Sequence, residues 1–219
     1  MWVYPAVMSP PSGLRERKKQ RTRETIARAA HELFVERGYQ ATTLPDIAQA
    51  ADVATRTIFA YFPSKDDILF SEISAMKEAL ERALSERLGG RDALEIVRTF
   101  IVSTQLEGTS PLLEKIHQLI KTDPTLRNQL RARITQMEDI IAPAIAADLG
   151  TRADDPGTQL VTASLIAGFN LLADRGTEKD DALTPQEITA VIDPVFTFLR
   201  AGLEALKDRR PARRRRTTA

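Results

Sequence analysis

The stretch from Thr42 to Ile68, TTLPDIAQAADVATRTIFAYFPSKDDI, constrains the fold of this 219-residue chain more than any other. It predicts two short helices joined by a tight turn, then a stop and the start of another helix. Thr43 and Asp46 have capping-box spacing at the start of the first helix. Pro63 ends the second helix, and Ser64 caps the one that follows. Two short helices in this order suit the docking of one of them in the major groove of DNA.

The turn between these two helices is formed by residues 51–53, Ala-Asp-Val. Its central residue must tolerate the left-handed backbone region, for which glycine is the usual choice and aspartate one of the better substitutes. We therefore expect Asp52 to have a positive φ.

The second helix of the pair, from about Ala54 to Phe62, has two different faces. On a helical wheel the inner side carries Ile58, Phe59 and Phe62, and the outer side carries Arg56, Thr57, Ala60 and Tyr61. Arginine can bind guanine O6 and N7, and threonine can hydrogen-bond a base or touch a thymine methyl group. Thr55 points inward on the wheel, but its place in the first turn lets it project forward off the helix end. The outer side suits the reading of base pairs; the alternative is the polar surface of an ordinary small helix.

A longer helix precedes the pair and begins near Arg15. Its buried face follows the i, i+3, i+4, i+7, i+8 pattern, with Ile26, Ala29, Ala30, Leu33 and Phe34. Gly38 stands where a helix C-terminal glycine belongs, and Tyr39 is placed to pack on Phe34. The opening of this helix, residues 15–23, holds six basic residues and no apolar face. We interpret the opening either as an arm along DNA phosphates or as a solvated helix start.

Lys65 lies in the first turn of the helix capped by Ser64. Free backbone N–H groups at a helix N-terminus and a lysine beside them form an anion site, for which a DNA phosphate is the natural ligand. The alternative is a solvated lysine. Tyr61 is a second candidate for phosphate binding, because a tyrosine hydroxyl is a common phosphate donor.

The residues TTLPDIAQAADVATRTIFAYFPSKDDIL resemble the DNA-binding domain of the TetR/AcrR family of transcriptional regulators, and the resemblance extends from about Arg21 to Glu72. Its strongest pieces are ERGYQATTLPDIA and YFPSKDDIL. The resemblance implies an all-α protein of about nine helices, with a three-helix DNA-binding domain and a larger helical ligand-binding and dimerisation domain. The GLRERKKQRTRETI and TIFAYFPSK segments are similar to an actinobacterial subgroup, some of whose members bind acyl-CoA-like ligands.

The resemblance also assigns DNA contacts. In the family, phosphates are bound by residues that match Thr42, Thr43, Tyr61 and Lys65 of this sequence. The base-reading positions match Thr55, Arg56 and Thr57, and Arg21 belongs to the basic arm of helix one. We expect residues 15–68 to form the DNA-binding domain and residues 69–208 the ligand-binding and dimerisation domain. Residues 1–14 and the arginine-rich residues 209–219 are expected to be disordered.

The last two predicted helices, residues 158–174 and 185–207, are apolar on more than one side. Such helices must be buried, either against a second copy of the chain or in the core of a monomer. The resemblance implies a homodimer in which these helices form the interface. Pro194 is expected to kink or break the last helix, and Pro143 to kink an earlier one at residues 126–149.

A small-molecule pocket among the middle helices is implied by the resemblance alone. The residues that could line it are Phe100, Gln105, His117, Met137, Phe169 and Asn170. For each of them, an ordinary place in the core or on the surface is the alternative.

Composition excludes several other functions. The chain has no cysteine and only two histidines, so no zinc site is expected, and no cofactor is implied. It has no Gly-rich phosphate loop after a strand and no nucleophile elbow, which argues against an all-helical enzyme with an incidental basic arm. The segment MWVYPAVMSPPSG lacks the features of a signal peptide, and we expect a cytoplasmic protein. A basic membrane-surface protein that uses its arginine tail remains a further alternative.

The sequence therefore predicts a sequence-specific DNA-binding regulator without catalytic residues. We expect a homodimeric repressor that binds a palindromic operator and is released by a small hydrophobic or acyl-CoA-like ligand. An activator, or a regulator that responds to no ligand, is an alternative with the same fold.

Overall fold

The computed structural model describes residues 13–87, 90–106, 110–178 and 184–208, and within them the secondary structure is entirely helical. The helices are α1 (Leu14–Arg37), α2 (Leu44–Ala50), α3 (Thr55–Phe59), α4 (Lys65–Leu69), α5 (Ser71–Glu86), α6 (Ala93–Leu106), α7 (Pro111–Thr122), α8 (Pro124–Thr135), α9 (Glu138–Leu149), α10 (Pro156–Glu178) and α11 (Pro185–Asp208). The all-α class is confirmed. Of the segments expected to be disordered, residues 1–12 and 209–219 lie outside the described residues, whereas Gly13 caps α1 and Leu14 begins it.

The chain packs as two compact units. The first contains the described residues up to Ala79 together with Thr104–Arg133, and the second contains Leu80–Ser103 and the described residues from Ile134 onward. The core of the first unit is built around the fully buried rings of Phe34, Phe62 and Phe70. Side chains of α1 to α4 share this core with residues of α7 and α8.

Local signals place the end of α1 and the starts of α2 and α4 where the sequence predicts them, but α3 ends at Phe59 and not near Phe62. Gly38 has φ 86° and its N–H donates to the carbonyl of Phe34 at 3.0 Å. Thr43 caps α2 in a complete capping box with Asp46, and the Ser64 hydroxyl accepts from the N–H of Asp67 at α4. Asp52 has φ 52°, as the turn requires.

Two predicted long helices are each divided in the structure, so the described residues hold eleven helices rather than about nine. The helix expected from Ser64 onward breaks at Phe70, where φ is −96° and ψ is 22°. The helix expected at residues 126–149 breaks between α8 and α9, not at Pro143. Pro143 and Pro194 lie inside continuous helices. Both prolines are exposed.

The second unit is built from α6 and the three helices α9, α10 and α11. The helices α10 and α11 lie close together at Gly168, where an added Cβ would lie 2.8 Å from Cγ1 of Val195. Arg87 binds Asp148 at 2.6 Å and the carbonyl of Ala144 at 2.7 Å. No helix among the described residues is long and apolar enough to cross a membrane.

Candidate nucleic-acid interface

The exposed stripe of α3 differs from the predicted outer face. Ile58 and Phe62 are buried as predicted, at 0% and 1% exposure, but Phe59 is 55% exposed. The prediction that Phe59 lies on the inner side was wrong. The wheel places it at the edge of the apolar side, and in a five-residue helix Ile58 and Phe62 already fill the core beneath. The exposed residues are therefore Arg56, Phe59 and Ala60.

The other predicted residues of α3 are half-buried. Thr55 is the first residue of the helix, and its neighbour Arg56 is fully open to solvent. Thr57 and Tyr61 lie at the margin of the exposed stripe, and Tyr61 packs partly against the core of the first unit. The three α3 positions predicted to read bases thus differ in access, and Arg56 has the most.

Thr42 and Thr43 are neighbours with opposite environments. The Thr42 side chain is 1% exposed, and its hydroxyl donates to the carbonyl of Gly38 at 2.9 Å. It ties the loop to the end of α1, so its hydroxyl does not reach a ligand at the surface. Thr43 is exposed, and its hydroxyl and backbone N–H both donate to Asp46, at 2.5 and 2.8 Å. These two bonds lower the pKa of Asp46.

Lys65 is held by the loop between α1 and α2. Its Nζ donates to the carbonyls of Tyr39 and Thr42, at 2.8 and 2.9 Å, and lies 4.3 Å from the centre of the Tyr39 ring. An ammonium group has three N–H donors. Two are used inside the protein, and the third is left to bind an anion from a position that is already fixed.

The two carboxylates that follow Lys65 connect α4 to α8. Asp66 accepts from the Tyr39 hydroxyl and from Nε2 of Gln129, the latter at 3.0 Å. Asp67 accepts from the Ser64 hydroxyl at 2.7 Å and from the Arg133 guanidinium at 3.0 Å.

These bonds shift two pKa values. Burial and the bond to Asp66 raise the pKa of Tyr39. Partial burial acts to raise the pKa of Asp67, but the bonds from Ser64 and Arg133 and the charge of Arg133 outweigh it and hold the pKa below its usual value.

The sequence did not reveal the part played by Gln129 and Arg133. They lie 63 and 66 residues from their partners, and no local spacing indicates them. Arg133 also lies over the ring of Phe70, with its guanidinium carbon 4.9 Å from the ring centre. The long polar side chains of α8 predict only that they lie at the surface. Contacts between residues so far apart in the chain leave no local pattern in the sequence.

The basic opening of α1 contains both exposed and engaged cations. Arg21 is exposed, as are Arg15, Arg17, Lys18 and Lys19. Arg23 differs, because its guanidinium lies 5.0 Å from the centre of the Phe62 ring and 3.9 Å from a Glu78 oxygen. Arg23 therefore helps to fix α3 against α1, and the remaining cations form the exposed arm.

The two histidines of the first unit have opposite pKa shifts. His31 is fully buried, with Nε2 placed to donate to the carbonyls of Ile68 and Leu69. Burial lowers the pKa of His31 despite these bonds. His117 is half-exposed and lies 3.3 Å from Glu72. Partial desolvation acts to lower the pKa of His117, but the hydrogen bond and charge of Glu72 outweigh it and raise that pKa.

The six candidate pocket residues do not line one described cavity. Phe169 alone borders a cavity of about 10 Å³ in the second unit, between α6, α10 and α11. Phe100 and Met137 are buried in the core of that unit, and Oδ1 of Asn170 is buried with no hydrogen-bond partner. His117 belongs to the first unit. The side chain of Gln105 lies outside the described residues.

A larger groove of about 350 Å³ lies on the second unit. It is lined by Glu81, Leu84, Ser85, Arg87, Asp139, Ile140, Pro143, Ala144 and Ala147. None of the predicted pocket residues borders it. Within the described residues, no three His, Cys, Asp or Glu side chains are grouped so as to hold a metal ion.

The N-terminal helices define a class of protein. The short helix α3 exposes Arg56, packs against α2 and is preceded by α1 with its basic opening. This is the arrangement of a helix-turn-helix DNA-binding domain. Residues 26–71 match the sequence profile described as "Bacterial regulatory proteins, tetR family", and residues 91–204 match that of the "MftR C-terminal domain". The chain belongs to the TetR family of bacterial transcriptional regulators.

Relatives with known names support this assignment. The chain is 36% identical to the transcriptional regulator TcmR of Streptomyces glaucescens over 69% of this chain and 71% of that protein. It is 27% identical to MftR of Mycobacterium tuberculosis over 87% of this chain and 95% of that protein. The crystal structure of the Thermus thermophilus repressor FadR in complex with lauroyl-CoA has a TM-score of 0.52 and 29% identity, over 82% of this chain and 94% of that one. These relatives are regulators and not enzymes.

Proposed function

We propose that this regulator is a homodimeric repressor that binds a palindromic operator through α3 and is released by an acyl-CoA-like ligand. The observation that carries the DNA-binding part is the exposed stripe of α3 above the buried side chains of Ile58 and Phe62. Among the described residues, none forms a hydrogen bond or an ion pair with the Arg56 side chain, which is exposed to solvent. A guanidinium in that position can bind guanine O6 and N7 in the major groove.

Phosphate contacts are proposed around this stripe. Arg21 on α1, Tyr61 between α3 and α4, and Lys65 on α4 carry donors at or near the surface. Thr43, the N-cap of α2, donates its hydroxyl and its N–H to Asp46, so a phosphate contact there must exchange one of these bonds. Lys65 contributes through its remaining N–H, and Arg21 through an exposed guanidinium. Thr55 and Thr57 are proposed as further base contacts at the margin of the stripe. The hydroxyl of Thr42 is left out because it is buried.

Dimerisation through α10 and α11 is supported by the apolar residues that these helices leave exposed. Leu160 is 65% exposed, Leu171 43% and Phe198 69%. Burial of large apolar side chains stabilises by about 1.5–3 kcal/mol each, so a second copy of the chain has a favourable surface to cover. A dimer with twofold symmetry presents two α3 helices to two half-sites, which is why a palindrome is expected.

The ligand is proposed from the likeness to FadR of Thermus thermophilus, whose structure contains lauroyl-CoA. In this chain the apolar cavity between α6, α10 and α11 is too small for an acyl chain at about 10 Å³. We propose that an acyl-CoA-like ligand enlarges this cavity when it binds. A ligand that binds better to the enlarged state shifts the population toward that state and releases the DNA.

Selection of bound duplexes from a random pool tests the DNA-binding part. We expect a palindrome with two half-sites about one helical turn apart or a multiple of it. Arg56→Ala should then weaken binding and relax the preference at one base pair of each half-site, at a cost of about 1–3 kcal/mol. If no palindrome emerges, the proposal of a dimeric operator-binding protein is wrong.

The phosphate contacts require a different probe. Lys65→Ala should weaken all DNA sequences alike and flatten the salt dependence, but it also removes two hydrogen bonds to the α1–α2 loop. Arg21→Ala is the cleaner variant because Arg21 is exposed. It should reduce the slope of log K against log salt by about one for each half-site, and so by about two for the dimer, without changing sequence preference. If Arg21→Ala changes the sequence preference and Arg56→Ala does not, Arg21 is the base contact and Arg56 the phosphate contact, contrary to the proposal.

Titration of the protein–operator complex with lauroyl-CoA tests the ligand. We expect dissociation of the complex, with free CoA as the control that lacks the acyl chain. Dissociation by both compounds at equal concentration argues against an acyl site. If neither compound dissociates the complex, the protein does not respond to acyl-CoA. Transcription from the selected operator, measured with and without the protein, then shows whether the protein is a repressor or an activator.

A further inference from the structure

Phe59 is an apolar side chain that the first unit leaves in water. Among the described residues of that unit, Leu14 is the other large apolar side chain that is mostly exposed. Eighteen buried residues form the core beneath α3. Ile58 and Phe62, on either side of Phe59 in the sequence, are the residues that face this core. Phe59 is thus not needed to fill the core, and its exposed ring is available to a partner.

The neighbours of Phe59 show which partner fits. Arg56 and Ala60 are exposed with it, and residues three and four apart lie on one face of a helix. The stripe therefore presents one cation, one aromatic ring and one methyl group. Neither Phe59 nor Ala60 has a side-chain donor for a phosphate oxygen, so the apolar part of the stripe does not suit the DNA backbone.

We propose that Phe59 reads a thymine through its 5-methyl group, beside the base bound by Arg56. Thymine is the base that presents a methyl group in the major groove, and phenylalanine is among the side chains that contact it. Three residues of α-helix rise about 4.5 Å, and base pairs are about 3.4 Å apart along the DNA axis. The thymine therefore lies one or two base pairs from the Arg56-dependent position. The inference rests on the proposed function and adds a specificity-determining residue to it.

The test uses the full-length protein and the duplex selected from the random pool. Each thymine of the half-site is replaced in turn by deoxyuridine, symmetrically in both halves, which removes the methyl group and leaves base pairing unchanged. For the wild-type protein we expect one position to lose about fourfold in affinity per half-site. This is the factor that about 0.8 kcal/mol for one buried methyl group gives. The loss should disappear in Phe59→Ala.

Two variants serve as controls. Arg56→Ala should keep the deoxyuridine effect while it loses the preference at its own base pair. Phe59→Leu keeps an apolar side chain and should keep part of the effect. Because Phe59 is largely exposed, Phe59→Ala should fold as the wild type does, and thermal unfolding checks this.

The outcomes separate the two proposals. An equal deoxyuridine effect in wild type and Phe59→Ala overturns the role of Phe59. A half-site with no thymine within two base pairs of the Arg56-dependent position also overturns it. The same holds if Phe59→Ala loses equal affinity for the selected duplex and for random duplexes. Failure to select any duplex overturns the proposed DNA-binding function, and the role of Phe59 falls with it.

Discussion

Gly168 is the position where a single added methyl group should be most damaging to the second unit. A Cβ on Gly168 would lie 2.8 Å from Cγ1 of Val195, which is about 0.6 Å inside the 3.4 Å at which ordinary contact begins. Val195 is branched at Cβ and has few alternative rotamers, so it cannot swing aside freely. Either α10 and α11 must separate, or Val195 must leave its preferred rotamer.

The expected magnitude is a difference of two effects. Forcing an extra methyl group into a packed site costs about 1–3 kcal/mol. Replacing glycine by alanine inside a helix recovers roughly 0.5–1 kcal/mol. Gly168→Ala should therefore lower the free energy of unfolding by about 1 kcal/mol, and by at most about 2.5 kcal/mol. For a chain of this size, that corresponds to a fall in Tm of roughly 2–4 °C for each kcal/mol.

Gly202→Ala is the matched control. Gly202 also lies inside a helix, α11, but no heavy atom lies within 4 Å of its added Cβ. It should raise the stability by roughly 0.5–1 kcal/mol through the helix-propensity effect alone. Urea unfolding at one fixed protein concentration measures both variants, since the apparent stability of a dimer depends on concentration.

A double-mutant cycle identifies the cause. Val195→Ala removes the methyl group that Gly168→Ala meets, so the double variant should be more stable than the sum of the two single effects predicts. If Gly168→Ala is as stable as Gly202→Ala, or if the cycle gives strictly additive effects, the close approach of α10 and α11 does not limit this site.

Three further predictions concern the first unit. Thr43→Ala should cost about 1 kcal/mol in urea unfolding, because it removes the capping box of α2. The pKa of Asp67 is depressed, so its contribution to stability is present above about pH 3.8 and lost as the pH falls. Arg133→Gln should weaken this acid dependence. If the free energy of unfolding falls at acid pH as it does in the wild type, the prediction is contradicted. As the pH falls below about 6.5, protonation of His31, whose pKa is lowered, should reduce the stability, and the raised pKa of His117 should oppose this fall. His31→Gln should flatten that fall and His117→Gln should steepen it, as measured by unfolding at pH 5 and 7.

The elements that the sequence predicted well depend on local chemistry. The caps at Thr43 and Ser64 join residues three apart, and the positive φ of Asp52 is a property of a single turn residue. Gly38 ends α1 for the same kind of reason. Such features need no knowledge of distant parts of the chain, because the atoms that form them are near neighbours in sequence.

Phe59 could not be placed by the same reasoning. A helical wheel gives an angle, but in a five-residue helix the angle alone does not decide which apolar side chain meets the core. Ile58 and Phe62 are covered by α1, α2 and the helices of residues 104–133, and Phe59 is not. Burial at the edge of an apolar face depends on where the neighbouring helices end, and those positions are set by tertiary packing.

The connections of α4 could not be predicted either, and they have a mechanical consequence. Lys65 binds the α1–α2 loop, Asp66 binds Gln129 and Asp67 binds Arg133, so three consecutive residues attach α4 to two other elements, the α1–α2 loop and α8. A five-residue helix held on several sides cannot turn without breaking charge-assisted hydrogen bonds, which contribute about 1.5–3 kcal/mol each. We therefore expect the α1–α2 loop, α4 and α8 to move as one body. Because Ile58 of α3 belongs to the buried core of the same unit, a displacement of α8 should change the position of the Arg56 and Phe59 side chains without changing their spacing.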